Sequence, residues 1–259
     1  MKKLLALAMA AALAGCAQSP TGRDQILLLD NSQVAQMGAR SFEELKQKEK
    51  ISTDRRQNAY VQCVAGAITR VLPREQQGSW EVVLFESKSV NAFALPGKKI
   101  GVYTGLLQVA ENQDQLAAVI GHEVGHVLAN HSNERLSQNQ LTQVGMALGD
   151  AALGMAGVQN RDLWMAGLGV GAQVGVLLPF SRTHESEADA IGLELMAKAG
   201  FDPNASVALW RNMARQGSGA PVEFLSTHPS PGTRIGKLQA GIPKVLPSYR
   251  AASPKPNCR

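Results

Sequence analysis

The sequence predicts an α+β fold, mainly helical, with a small sheet whose edge strand flanks a central helix. Three observations predict it. Apolar residues recur at helical spacing, most clearly at Leu116, Val119, Ile120, Val124, Val127 and Leu128. Two short runs, Trp80 to Phe85 and Asn91 to Tyr103, favour strands, and Pro96-Gly97 supplies a turn inside the second. Helix stop and start signals, Gly200 and then Asp202-Pro203, punctuate the later part of the chain. A chain of 259 residues, 44% hydrophobic and 18% charged, suits one sizeable domain, and no internal repeat is visible.

At the N-terminus, Lys2 and Lys3 precede the apolar run Leu4 to Leu13, and small residues close it at Leu13-Ala14-Gly15-Cys16. This reads as a secretory signal over residues 1–15, too short to span a bilayer. A cysteine directly after Leu-Ala-Gly resembles the bacterial lipoprotein cleavage box, which implies that Cys16 becomes a lipidated first residue; Ala17 after it leans towards outer-membrane sorting. Residues 16–40 mix Gly, Pro, Ser and Gln with one apolar run, Ile26 to Leu29, and are expected to be a lipidated tether. Lys2 and Lys3 leave with the signal while no acid does, so the formal charge of +5 falls by two, too mild to imply nucleic acid. Cys63 and Cys258 then remain in an oxidising compartment, either bridged or as two free thiols.

Phe42 to Leu72 shows helical patterning with charged faces, ended by Pro73, and the strand-favouring runs follow as a small sheet with a hairpin. Asn112 begins the central helix, with Gln115 as a capping-box-like partner. A second helix is expected from about Thr183 to Ala199, and Ser230-Pro231 repeats the cap-then-proline signal before Arg234. Between these helices the Gly-, Ala- and Met-rich stretch Leu141 to Phe180 contains an uncharged run, Leu163 to Ser181. A single membrane crossing there would put His126 and Glu185 on opposite sides of a bilayer, and Asp150 interrupts one half of any two-span hairpin. A buried or amphipathic helical hairpin is expected instead. The domain is read as residues 41–245, with a tail at 246–259.

The chemistry concentrates at His122-Glu123-Val124-Gly125-His126. Histidines at i and i+4 lie one turn apart on one helix face, where both can reach a single tetrahedral zinc. Glu123 lies about 100° round the helix, placed for a metal-activated water rather than for the metal. The bland alternative is a helix with two partly exposed histidines, but the helix is apolar, and burying these groups without a partner is costly. Gly121 and Gly125 each weaken a helix by about 1 kcal/mol relative to alanine, which a closely packed neighbouring backbone would explain. Ser132 and Ala129 stand where a metzincin would carry its third histidine and its glycine, so that subclass is excluded. In Glu185-Ser186-Glu187-Ala188-Asp189, Glu185 and Asp189 share a face, suited to one metal ligand and one carboxylate that orients a ligand imidazole, while Glu187 projects elsewhere. A solvated acidic helix start is the alternative.

These residues resemble the HtpX and CAAX-prenyl-protease zinc metallopeptidases, especially the periplasmic lipoprotein branch with BepA, LoiP and YcaL and the mitochondrial Oma-type enzymes. The resemblance spans about residues 40 to 240. It rests on Asn91-Ala92-Phe93-Ala94-Leu95-Pro96-Gly97, on His122 to His126 with His131, on Ser181-Arg182 before Glu185 to Asp189, and on Ser226-Thr227-His228-Pro229-Ser230 with Arg234. It implies a zincin-like fold of the Glu-ligand type holding one Zn2+ per chain through His122, His126 and Glu185, with Glu123 as base and Asp189 behind a ligand. His228 then looks like a substrate-contacting or oxyanion-stabilising residue, and Asn91, Ala92 and Phe93 like the strand along which substrate lies. His131 and His184 are read as surface or packing residues. The implied function is a zinc-dependent endopeptidase of misfolded or stalled envelope proteins. It would be lipid-anchored in the bacterial periplasm, on the outer membrane, with unfolded or misassembled proteins as substrates and outer-membrane assembly machinery as a partner. The alternative is a lipoprotein chaperone or assembly factor using the same fold for binding; an intact Glu123 speaks for the enzyme.

Overall fold

A computed structural model describes residues 16–156, 180–216, 223–228 and 231–258. The signal read at 1–15 and all but the last two residues of the run Leu163 to Ser181 lie outside the described residues. The chain opens with a hairpin of β1 (Cys16–Gln18) and β2 (Asp24–Ile26), followed by helices α1 (Asn31–Lys48) and α2 (Arg55–Arg70). A three-stranded sheet of β3 (Glu81–Phe85), β4 (Ala92–Leu95) and β5 (Lys99–Tyr103) comes next. Among the described residues six α-helices follow the sheet: α3 (Gln113–Leu128), α4 (His131–Met155), α5 (Arg182–Lys198), α6 (Asn204–Gln216), α7 (Glu223–Thr227) and α8 (Pro231–Ala251). Among the described residues, no helix is long and apolar enough to cross a membrane.

The sheet order is β3-β5-β4, with β5 parallel to β3 and antiparallel to β4. β4 is therefore an edge, and it packs against α3. Its register sets Phe93 opposite Gly101, where an added Cβ would lie 2.2 Å from the Phe93 ring. The missing side chain lets Phe93 join Phe42, Phe85 and Tyr103 in one aromatic cluster, leaving Ala92 and Ala94 buried on the alternate positions.

α3 is the hub of the core. Asn112 caps it, accepting from Gln115 N at 3.0 Å, while Gln115 Oε1 accepts from Glu111 N at 3.0 Å. Its closest neighbour is α5. A Cβ on Gly125 would stand 2.8 Å from Ala188 O, and one on Gly192 2.7 Å from His122 N, so the two backbones approach to a distance only glycine permits. Ser181 caps α5 through His184 N, which fixes where the Glu185 turn begins.

Three expectations are corrected. The helical pattern from Phe42 to Leu72 is two helices, because residues 50–52 leave the helix to bond the β3 edge through Ser52 N to Leu84 O and Glu86 N to Lys50 O, after which Asp54 caps α2. Residues 16–40, expected as a tether, fold into the β1–β2 hairpin and the start of α1, anchored by the buried Gln25 and by Arg23. The tail does not begin at 246, since α8 runs to Ala251. The segment beyond it is pinned by a Cys63–Cys258 disulfide, Cα to Cα 5.6 Å, and by Gln113, which bonds Pro256 O and Cys258 N.

Candidate metal centre

Three elements deliver four donors to one buried point. α3 contributes His122 and His126, α5 contributes Glu185, and His228 follows directly on α7, its N–H bonded to Phe224 O. All four are buried, and their ligand atoms lie within 4.8 Å of one another. His122 Nε2 stands 3.1 Å from His126 Nε2 and 3.2 Å from His228 Nδ1. Glu185 Oε1 is 2.9 Å from His228 Nδ1 and 3.4 Å from His126 Nε2. Donors bound tetrahedrally at zinc's N and O distances are separated by about 3.3 Å, so this set of three imidazoles and a carboxylate fits that ion. Glu123 lies beside it, with Oε1 3.4 Å from His228 Nε2, and that oxygen has no hydrogen-bond partner among the described residues. Burial raises the Glu123 pKa, partly opposed by the charges of His228 and His122, which suits a group that takes and returns a proton.

Each helix-borne imidazole is held from behind. Asp189 Oδ1 lies 2.9 Å from His122 Nδ1 and is itself gripped by Arg234. Burial pushes the Asp189 carboxyl up, but Arg234 and His122 outweigh it and hold the pKa below its ordinary value. Behind His126 stands another histidine: His131 Nδ1 is 2.8 Å from His126 Nδ1, and His131 Nε2 is 3.1 Å from Glu187 Oε2. Asn130 makes this possible, because its left-handed backbone (φ 53°) turns the chain so that α4 starts at once and brings His131 back beside α3. Burial, with the nearby His184, lowers the His131 pKa to about 4, so it is neutral at physiological pH. Aromatic rings wall the centre: Phe224 stacks on His228 at 4.4 Å, Phe180 packs on His126 at 4.1 Å, and Trp210 lies 6.2 Å from His122.

The structure thus brings together His122, Glu123, His126, Glu185, Asp189 and His228. It places His228 differently from the sequence-level expectation, with Nδ1 in the donor set itself rather than beside it. Asn91, Ala92 and Phe93 sit at β4, whose outer edge is unpaired among the described residues and which packs against the helix that carries Glu123. Cys16 begins β1, away from these donors in sequence but in the hairpin that reaches Glu187. Glu187 does not project away, as expected, but is buried on His131. His131 and His184 are fully packed residues, and His184 Nε2 lies 3.1 Å from Glu134. Arg234, noted in sequence only as part of a motif, is buried and central; no local signal marks its role.

Over 168 residues the chain is 40% identical to the mitochondrial metalloendopeptidase OMA1 of Schizosaccharomyces pombe, covering 64% of this chain and 48% of that protein. It is 30% identical over 239 residues to the mitochondrial metalloendopeptidase OMA1 of Bos taurus, covering 87% and 46%. It is 32% identical over 170 residues to the beta-barrel assembly-enhancing protease of Escherichia coli K12, covering 63% and 34%. The chain therefore spans about half or less of the length of these relatives. Residues 55–242 match peptidase family M48, a span that holds every donor and buttress described above except the hairpin residues, and the chain belongs to that family.

Proposed function

We propose that this protein is a zinc-dependent endopeptidase in which His122, His126 and Glu185 hold one Zn2+ and Glu123 is the general base. The observation that carries the reading is the buried cluster of those three donors with Glu123 next to it and, alongside, a strand edge unpaired among the described residues. Zinc, when bound, would supply Lewis acidity towards a peptide carbonyl and lower the pKa of a water towards neutrality. Glu123, made more basic by burial, would serve as the general base towards the attacking water and as the proton donor to the leaving amine. A substrate strand added to β4 would be held by main-chain hydrogen bonds, so recognition is tolerant of sequence and suits unfolded chains. His228, whose Nδ1 stands in the same donor set, would serve as a further donor to the ion or as the hydrogen-bond donor to the oxyanion.

We further propose, from the Leu13 to Cys16 box, that Cys16 carries lipid and holds the enzyme at the periplasmic face of the outer membrane, where misfolded or stalled envelope proteins are its substrates. The similarity to a beta-barrel assembly-enhancing protease supports that setting. Replacing Cys16 with Ser should abolish labelling by a fatty-acid analogue; persistent labelling removes the anchor.

The deciding experiment compares the wild type with Glu123→Gln and with His122→Ala, His126→Ala and Glu185→Ala. Casein cleavage should fall by roughly a hundredfold or more in Glu123→Gln while zinc stays near one per chain, and the three ligand variants should lose both. Undiminished cleavage by Glu123→Gln would replace the enzyme with a chaperone that uses the fold for binding.

A further inference from the structure

The N-terminal hairpin folds back onto the base of the metal centre. Its turn presents three side chains to α4 and α5. The Ser19 and Thr21 hydroxyls both donate to Glu187 Oε1, and Arg23 Nε donates to Glu187 Oε2 at 2.8 Å. The other two Arg23 nitrogens bond Glu134, at 2.9 and 2.7 Å. From β2, Gln25 Nε2 donates to Glu134 Oε2 at 3.0 Å and to Ala129 O at 2.5 Å, at the end of the helix that carries the histidines. Glu187 and Glu134 are almost fully buried, with side chains 4% and 7% exposed.

From Glu187 the contacts run inward to His131 and then to His126 Nδ1. A ligand imidazole must keep the lone pair of its metal-facing nitrogen free. With Nε2 turned to the donors, His126 therefore carries its proton on Nδ1 and donates it to His131 Nδ1. His131 must then hold its own proton on Nε2, which donates to Glu187. Only one tautomer of each ring satisfies this chain, and it ends on a carboxylate whose remaining hydrogen bonds come from the hairpin. Residues 16–26 lie outside residues 55–242, so this arrangement is not part of the family match.

We propose that the hairpin is a positioning element of the metal centre: Ser19, Thr21 and Arg23 fix Glu187, Glu187 fixes His131, and His131 sets the ring of the ligand His126. This rests on His126 being a zinc ligand. Removing the groups that orient a ligand histidine typically costs 10- to 100-fold in metal affinity. The coupling is reciprocal, so bound zinc must tighten the docking of the hairpin by the factor with which the hairpin tightens zinc.

The test uses the full chain purified in detergent, with zinc affinity measured against a chromophoric chelator and hydrogen exchange followed across residues 16–26 with and without zinc. Arg23→Ala should bind zinc about tenfold more weakly or worse, and Arg23→Lys should recover only part, because a single ammonium cannot bridge Glu187 and Glu134 as the guanidinium does. Zinc should slow exchange in the wild-type hairpin and do so less in Arg23→Ala. Lys50→Ala, which breaks an exposed pair with Glu86, should change neither readout. Should Arg23→Ala not fold, the double variant Ser19→Ala, Thr21→Val makes the same comparison. Wild-type zinc affinity in the hairpin variants, or hairpin exchange indifferent to zinc, overturns the coupling and leaves the ligand assignment standing. A wild type that binds no zinc overturns both.

Discussion

Arg234 grips Asp189 with two nitrogens, Nε to Oδ2 at 2.7 Å and Nη2 to Oδ1 at 2.5 Å. Its third nitrogen, Nη1, lies 2.7 Å from Glu185 Oε2, and the guanidinium rests on the Trp210 ring at 3.7 Å. One side chain thus aligns the carboxylate behind His122 and the carboxylate inside the donor set. The planar fork matters more than the charge, since a lysine cannot meet both carboxylates in this geometry.

Arg234→Lys is therefore expected to fold but to bind zinc about 10- to 100-fold more weakly. Arg234→Ala leaves two buried carboxylates uncompensated and should destabilise the protein by about 3–5 kcal/mol. Chelator competition and urea denaturation separate the two effects. Wild-type zinc affinity in Arg234→Lys would show that Arg234 only balances charge.

The α3–α5 contact sets the spacing of the donors, and Gly125 sits at its tightest point among the α3 glycines. Alanine would raise helix propensity by about 1 kcal/mol, but its Cβ would meet Ala188 O at 2.8 Å, and overpacking of this kind costs about 1–3 kcal/mol. The second effect is expected to win, because the obstacle is backbone rather than a side chain that can turn away. Gly125→Ala should lower both the thermal midpoint and zinc affinity, since Ala188 lies between Glu185 and Asp189. A variant more stable than wild type with full zinc would show that the helices can part without disturbing the donors.

Much of the site is legible in sequence because helical spacing is a local code. His122 and His126 one turn apart, Glu185 and Asp189 one turn apart, and the paired glycines Gly121 and Gly125 all speak through i, i+4 geometry. The Asn112 cap is equally local. What spacing does not encode is who meets whom across the chain. Arg23 bonds Glu187 over a separation of 164 residues, and Arg234 meets Asp189 from another helix. Glu187 looks solvated in sequence because three acids at a helix start usually are, and only the hairpin makes it a buried group. The break after Lys48 is invisible to periodicity for the same reason: it is imposed by the β3 edge.

The Cys63–Cys258 bridge closes a loop of 195 residues and fastens the C-terminal segment to α2, beside the start of α3. Removing a native disulfide of this kind typically costs about 2–5 kcal/mol, chiefly by freeing the unfolded chain. Cys63→Ser with Cys258→Ser should lower the urea midpoint by the corresponding amount while zinc content stays near wild type, because no donor lies in the tail. Equal midpoints for oxidised wild type and the double variant would show that the bridge adds nothing to stability.

The last prediction concerns pH. Glu81 on β3 lies between Lys46 of α1 and Lys99 of β5, both at 2.6 Å, so it clamps α1 to the sheet. The hydrogen bonds from Lys46 and then Lys99 outweigh burial and hold its carboxyl below the ordinary value. A depressed carboxylate pKa means that the unfolded chain takes up the proton first as pH falls. The clamp therefore contributes in full above the ordinary glutamate pKa of about 4.3 and is lost as pH drops through the lower folded-state value. Because the Glu81 side chain is 34% exposed, solvent screening limits the effect to about 1 kcal/mol or less. Urea denaturation of wild type and Glu81→Gln from pH 7 to pH 3 isolates it, since zinc loss and every other carboxylate act on both proteins alike. The stability gap should be widest near neutrality and close below about pH 4, and added salt should narrow it at pH 7. A gap as wide at pH 3 as at pH 7 would mean that Glu81 stabilises through packing rather than through its charge.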